Sequence, residues 1–187
     1  MKPAGPDMDF EANMSHRVLI IAYGNPLRSD DGFGWRAAEL LRPKVLALHA
    51  DLLCVYQLTP ELAAAASEAD ILIFIDAACN GQPGQVVCTA VVPLAEPARF
   101  SHQLAPEQIV ALCGELYGAH PQAYAISVTG ASFEHGEGLS ETVREALPGC
   151  VCIAEELMCR NEGPEGGAHP SETWHYVHCD GHEAEIW

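Results

Sequence analysis

Positive charge is scarce in this chain. Its 187 residues include 9 Lys and Arg against 26 Asp and Glu, which gives a formal net charge of −17 at pH 7. A nucleic-acid partner needs clustered Lys and Arg to replace its counterions, so the composition predicts that no nucleic acid is bound. The acidic balance instead favours a partner with a basic patch, or a metal cation.

Long apolar runs are missing as well. No stretch reaches the roughly 18 apolar residues of a membrane span, and residues 1–9 lack the apolar core of a signal peptide. We therefore expect a cytoplasmic protein with no membrane partner. Its 8 cysteines are expected to be reduced thiols, because the cytosol disfavours disulfides and free cysteine is commonly buried.

Two familiar catalytic signatures are also absent. The glycines around residues 24–34 lack the Gly-x-Gly-x-x-Gly spacing of a dinucleotide loop, and the acids Asp30 and Asp31 would repel a pyrophosphate. Ser101 and Thr129 carry hydroxyls, but no Gly-x-Ser-x-Gly elbow is present, which argues against a nucleophilic serine.

The chain predicts one α/β domain between two ends of different composition. We expect a flexible leader at 1–16, the domain at 17–160 and an acidic, histidine-containing tail at 161–187. Strands are predicted at about 17–23, 50–57, 71–76, 85–92 and 124–128, and helices at about 33–42, 59–69, 104–117 and 139–147. This alternation predicts a three-layer α/β/α fold with a twisted, mainly parallel five-stranded sheet.

Two prolines shape the helix predictions. Pro43 is expected to end the first helix, because proline lacks the amide donor that a helix interior needs. Pro148-Gly149 predicts either a kink or two shorter helices near the end of the domain.

The turn after the first strand carries adjacent carboxylates. It reads Gly24-Asn25-Pro26-Leu27-Arg28-Ser29-Asp30-Asp31-Gly32-Phe33-Gly34. Glycine and proline predict a turn that delivers Asp30 and Asp31 to a helix start, at the strand edge where open α/β sheets build their sites. Adjacent acids at a helix start are also ordinary capping residues, and Asp30 suits capping, or orienting Asp31, better than a direct role.

Two further polar residues can converge with Asp31. Asp76 closes an apolar strand, and His102 opens a predicted helix. If the first and third strands are parallel neighbours, the two aspartates project from one edge, and His102 can join them there. Two carboxylates and an imidazole suit a divalent transition metal. The alternatives are an Asp76 bound by the amides of residues 77–80 and a helix-entry histidine bonded to backbone.

These motifs, in this order, resemble those of the [NiFe]-hydrogenase maturation endopeptidases. The resemblance rests on the Gly-Asn-Pro-Leu…Asp-Asp-Gly-x-Gly turn, on Ile75-Asp76-Ala77 and on the box Ser101-His102-Gln103-Leu104, and it covers roughly residues 17–160. It implies that Asp31, Asp76 and His102 are the catalytic and metal-binding residues. It also implies an endopeptidase that removes a short C-terminal extension from the hydrogenase large-subunit precursor after nickel insertion.

The resemblance leaves two roles for the metal. In one, a bound divalent ion polarises the scissile carbonyl and activates water. In the other, which the resemblance favours, the ion is nickel carried by the precursor, although another divalent metal could bind in vitro. We expect a monomer. The alternative function is a nickel-binding chaperone or scaffold that docks the large subunit without cutting it.

The tail lies outside the resemblance. His175, His178, Cys179 and His182 are possible donors for a soft or borderline metal, but their spacing matches no closed zinc motif, and a mobile tail with incidental histidines is the other interpretation. Cys79, shortly after Asp76, is a possible soft ligand or nucleophile, with packing or loop placement as the simpler interpretation.

Overall fold

The computed structural model describes residues 16–94 and 104–159, together with the backbone of 173–176. Its strands are Val18–Tyr23 (β1), Asp51–Val55 (β2), Ile71–Ala78 (β3), Val86–Ala90 (β4), Gln122–Thr129 (β5) and Thr173–Tyr176 (β6). Its helices are Phe33–Ala47 (α1), Leu62–Ala66 (α2), Pro106–Tyr117 (α3), Glu141–Glu145 (α4) and Leu147–Met158 (α5), and a 3-10 turn at Ser29–Gly32 precedes α1.

The strands form one sheet in the order β2-β1-β3-β5-β4-β6. β1 pairs in parallel with β2 and β3, β3 pairs in parallel with β5, and β4 runs antiparallel to β5. The predicted α/β class and mainly parallel sheet are confirmed. Four parallel strands therefore end at one edge, at Tyr23, Val55, Ala78 and Thr129, and we call it the site edge.

The sheet gains a sixth strand from the tail. β6 runs antiparallel to β4, with Val87 opposite His175 and Thr89 opposite Thr173. The sequence pattern predicts no strand here, because so short an edge strand depends on its neighbour more than on its own periodicity.

Helices cover both faces of the sheet. Val18 and Ile20 of β1 share one core with buried residues of α1 and α5, whereas Leu19 and Ile21 share the other with α2 and α3. Continuous apolar strands of this kind are typical of parallel sheets buried on both faces. The three-layer prediction is therefore confirmed. None of the described helices combines the length and hydropathy needed to cross a bilayer.

The two prolines have different effects. α1 continues through Pro43, so the prediction that this proline ends the helix is wrong. Because proline has no amide proton, the carbonyl of Glu39 loses its helical partner, but both Pro43 and Glu39 lie exposed to water. Leu41 and Val45 are buried and hold the last turns of α1 against the core. Pro148 falls in the first turn of α5, where no amide donor is needed, and the predicted division into two helices is confirmed.

The turn after β1 is joined to the loop after β5 by backbone hydrogen bonds. Ser29 N donates to Gly136 O (2.8 Å), Gly136 N donates to Leu27 O (3.0 Å), and Asp30 N donates to Ser132 O (3.0 Å). Both segments leave the sheet at the site edge, so these bonds fix the two loops to each other there.

The buried side chain of Asp30 also joins the two loops. It is fully buried; its Oδ2 accepts from Ala131 N (2.8 Å), Ser132 N (2.9 Å) and Ser140 Oγ (2.9 Å), and its Oδ1 accepts from Ser140 N (2.7 Å). Burial alone would raise the pKa of Asp30, but these hydrogen bonds outweigh it and lower the pKa below its ordinary value. The interpretation of Asp30 as a helix cap is wrong, because its carboxylate turns towards the other loop and α1 has no side-chain cap.

Glycines allow two close approaches in the turn. Gly24 has φ +126°, and a Cβ at this position would overlap the carbonyl oxygen of Asp31. Gly34, in the first turn of α1, lies so close to the sheet that a Cβ would be 2.6 Å from Ile75 O and 2.7 Å from Tyr23 O. A side chain at either glycine would push the turn or α1 away from its neighbours.

Gly34→Ala is expected to lower the free energy of unfolding by about 1–3 kcal/mol, because the added methyl must displace α1 from the β1 and β3 backbones. Gly114→Ala in α3 is the matched control, since the nearest obstacle there is a side-chain carbon of His120 at 3.3 Å, and alanine is the better helix former. Urea unfolding followed by circular dichroism measures both variants. A Gly34→Ala protein as stable as the wild type would contradict the close packing.

Asp30→Asn is expected to lower the free energy of unfolding by about 1–3 kcal/mol, because an amide NH₂ would face at least one N–H donor that the carboxylate now accepts. Asp51→Asn, at the exposed start of β2, should change the free energy by less than about 0.5 kcal/mol. Denaturant unfolding of the two variants side by side gives the difference. Equal changes in the free energy of unfolding would show that the buried Asp30 carboxylate contributes no more to stability than a surface carboxylate does.

Candidate functional site

Asp31 and Asp76 lie at the site edge. Asp31 is in the 3-10 turn after β1, and Asp76 is two residues before the end of β3. β1 and β3 are parallel neighbours with Ala22 opposite Ile75, so both carboxylates fall at the same end of adjacent strands. The negative charge of Asp31 contributes to the raised pKa of Asp76.

Two hydroxyls hold the Asp76 carboxylate. Tyr23 Oη donates to Oδ2 (2.8 Å), and Ser127 Oγ donates to Oδ1. Tyr23 is the last residue of β1, and Ser127 stands directly opposite Asp76 in the pairing of β3 with β5. The alternative interpretation of the sequence had the amides of residues 77–80 bind the Asp76 carboxylate. In the structure, these two hydroxyls bind it.

Burial raises the pKa of Asp76 above its ordinary value. The hydrogen bonds from Ser127 and Tyr23 oppose this effect, whereas the negative charges of Asp31 and Glu107 add to it. Burial also raises the pKa of Tyr23, with further contributions from Asp76 and Glu107, so Tyr23 stays a neutral hydrogen-bond donor. The site edge thus gathers negative charge that a cation would relieve.

The Asp31 carboxylate is held by the backbone of its own turn. Its Oδ2 accepts from Asn25 N (3.0 Å), and the side chain remains partly exposed. Asn25 Oδ1 in turn accepts from Leu27 N (3.0 Å), and Trp35 Nε1 donates to Gly24 O (2.9 Å). The turn therefore fixes Asp31 while leaving it accessible.

His102 lies outside the described residues, together with Ser101 and Gln103, so its predicted role stays a prediction. The description resumes at Leu104, and α3 begins at Pro106. The charge of Glu107, in the first turn of α3, acts on both Asp76 and Tyr23. Leu104 N donates to Leu58 O (3.3 Å), three residues after β2, so the chain enters α3 near the site edge.

Three residues of the site edge are not identified by the sequence patterns: Tyr23, Ser127 and Glu107. Ser127 is recognisable only once the register is known, because it stands opposite Asp76 in the pairing of β3 with β5. Tyr23 and Glu107 carry no signal, since a tyrosine in a strand and an acid in the first turn of a helix are both ordinary.

The donors present suit a divalent cation only in part. Asp31 and Asp76 offer carboxylate oxygens, but within residues 16–94 and 104–159 no three His, Cys, Asp or Glu side chains are grouped so as to hold a metal ion. Cys79 lies exposed in the loop after β3 as a free thiol. A third ligand to a cation at this edge would have to come from outside these residues or from a partner.

The possible donors of the tail are mostly outside the described residues. His175 falls within β6, for which only the backbone is described, and His178, Cys179 and His182 lie beyond it. The two interpretations of the tail histidines therefore both remain predictions.

Solved structures of hydrogenase maturation proteases share this fold. The HycI protease from Thermococcus kodakarensis KOD1 matches with a TM-score of 0.62 and 22% identity, over 79% of this chain and 96% of that one. The maturating endopeptidase HybD from E. coli matches with a TM-score of 0.59 and 23% identity, over 74% and 89%. HybD from Thermococcus kodakarensis matches with a TM-score of 0.58 and 25% identity, over 76% and 99%.

No protein-family model matches the chain, and no curated protein sequence matches it significantly. The structural likeness nevertheless takes in nearly the whole of each neighbouring protein, so the common unit is the complete α/β domain and not a fragment of it. The resemblance predicted from the three motifs is confirmed at the level of structure: the chain has the fold of the [NiFe]-hydrogenase maturation proteases.

Proposed function

We propose that this protein is an endopeptidase that removes the C-terminal extension of a [NiFe]-hydrogenase large-subunit precursor after nickel insertion. The observation that carries the proposal is the pair of carboxylates, Asp31 and Asp76, at the site edge of a fold shared with hydrogenase maturation proteases. The order of the three motifs along the chain supports the same function.

Asp31, Asp76 and His102 recognise the nickel that the precursor carries. Two carboxylates and an imidazole provide oxygen and nitrogen donors that suit divalent nickel. The mutual repulsion of Asp31 and Asp76, which contributes to the raised pKa of Asp76, would be relieved by a cation between them. Because this cation belongs to the precursor, a precursor without nickel would dock poorly and stay uncut.

Tyr23 and Ser127 act as positioning residues. Their hydroxyls fix both oxygens of Asp76, so the carboxylate does not need to reorganise when the cation arrives. The Asn25 amide does the same for Asp31. A site assembled in advance saves the ordering cost that docking would otherwise carry.

Asp31→Asn, Asp76→Asn and His102→Ala should each reduce cleavage at least about 100-fold, the lower range for loss of a group that acts directly in a reaction. Cleavage is measured by incubating each variant with a nickel-loaded large-subunit precursor and reading the new C-terminus by mass spectrometry. Asp51→Asn is the control carboxylate variant, and metal-free precursor is the control substrate. Cleavage by the Asp31→Asn variant at the wild-type rate would show that Asp31 is not a functional residue of the site.

The same assay separates the competing function, a nickel-binding chaperone or scaffold. An endopeptidase releases a defined C-terminal peptide from nickel-loaded precursor alone. A chaperone releases none, and instead forms a stable complex or takes up nickel, which size-exclusion chromatography with metal analysis detects. That outcome would overturn the proposed cleavage.

Tyr23→Phe and Ser127→Ala should each slow cleavage about tenfold, as expected for loss of a hydrogen bond that orients a ligand. The fold should persist, because each change removes one hydroxyl and leaves the backbone pairing intact. Tyr117→Phe, which removes a hydroxyl from an exposed tyrosine at the end of α3, serves as the control. If both site-edge variants cut as fast as the wild type, the hydroxyls do not position Asp76 for the reaction.

A further inference from the structure

Two aromatic rings lie beside the site edge. Trp35 is in the first turn of α1, and Tyr56 directly follows β2; their ring centroids are 5.3 Å apart, with the ring planes inclined by 48°. Tyr56 is 62% exposed, whereas Trp35 is partly buried. We call these two residues the aromatic pair. Because Tyr23 stands opposite Val55 in the sheet, Tyr56 is level with Gly24.

The aromatic pair is tied to the turn that holds Asp31. Trp35 Nε1 donates to Gly24 O (2.9 Å). Gly24 lies against the backbone of Asp31, and the next residue, Asn25, donates its amide to the Asp31 carboxylate (3.0 Å). One short segment, Gly24-Asn25, thus connects the rings to the carboxylate. Because Tyr56 follows the end of β2, this exposed residue lies at the same edge of the sheet as Asp31.

The surroundings of the aromatic pair favour a cationic occupant. Aromatic faces attract cations, and an exposed acid, Glu61, follows Tyr56 by five residues in the chain. The neighbouring cation Arg36 is paired with Glu39 (3.0 Å). The chain as a whole carries a formal charge of −17, which favours a basic segment on the partner.

We propose that the aromatic pair is a binding subsite for an arginine side chain of the precursor, stacked on Tyr56. A guanidinium is planar and weakly hydrated, so it stacks on an aromatic face more readily than a lysine ammonium does. Identifying the partner as the precursor rests on the proposed function. The preference for a guanidinium rests on the aromatic pair itself.

A direct titration tests the subsite without any precursor. The full-length protein is titrated with N-acetylarginine methylamide and, separately, with the uncharged citrulline analogue, and the ring protons of Trp35 and Tyr56 are followed by NMR. The arginine compound should shift these resonances more than citrulline does. Tyr56→Phe should keep the difference in the Trp35 shifts, and Tyr56→Leu should abolish it. Equal shifts from both compounds, or an undiminished difference in Tyr56→Leu, would overturn the proposal.

Cleavage kinetics then test the link to the precursor. Tyr56→Leu should raise KM for nickel-loaded precursor about two- to fivefold, the range for an exposed cation–π contact, while kcat stays within twofold. Tyr56→Phe should restore KM. Tyr117→Leu, which removes another exposed tyrosine (53%) at the end of α3, should leave KM unchanged.

The two experiments distinguish failure of the proposed function from failure of the proposed subsite. If the wild type leaves nickel-loaded precursor uncut, the proposed function fails, and the arginine titration alone decides the subsite. If the wild type cuts but Tyr56→Leu leaves KM unchanged, the endopeptidase stands and the subsite assigned to the precursor is wrong.

Discussion

The site edge depends on one buried carboxylate, that of Asp30. Four hydrogen bonds from the loop after β5 satisfy its charge, and this contact holds that loop to the turn after β1. The buried position of Asp30 also determines where the side chain of its neighbour, Asp31, points. Successive side chains of a 3-10 turn point about 120° apart, so burying Asp30 directs Asp31 away from the core, where it remains partly exposed. Two adjacent aspartates thus serve opposite purposes.

Asp30 and Asp76 show how the surroundings of a carboxylate change its pKa. Asp30 is surrounded by N–H and O–H donors, which lower its pKa and make it a stable structural anion. Among the described residues, two hydroxyls donate to Asp76; its burial and the charges of Asp31 and Glu107 outweigh these bonds, so its pKa is raised. A carboxylate in the second environment is the one whose charged form gains most from a cation placed beside it.

The parts of this architecture that depend on local pattern could be predicted from the sequence. Alternating strands and helices predict a mainly parallel sheet, and Asp31 and Asp76 then share one edge on the condition that β1 and β3 are neighbours. The parts that depend on contacts between distant segments could not. Asp30 binds a loop about a hundred residues away, and Ser127 meets Asp76 only through strand pairing. Pro43 is tolerated within α1 because it lies exposed, while Leu41 and Val45 hold the helix against the core.

The edge strand β6 has a consequence for where this folding unit ends. The resemblance to the maturation proteases stops near residue 160, yet residues 173–176 pair with β4 at the margin of the sheet. Without them, β4 would present a row of unpaired amides and carbonyls to solvent, and open strand edges of this kind invite neighbouring molecules to associate edge to edge. Pairing with residues 173–176 covers β4 and leaves a strand of 4 residues at this margin, and so short an edge offers little length for such association.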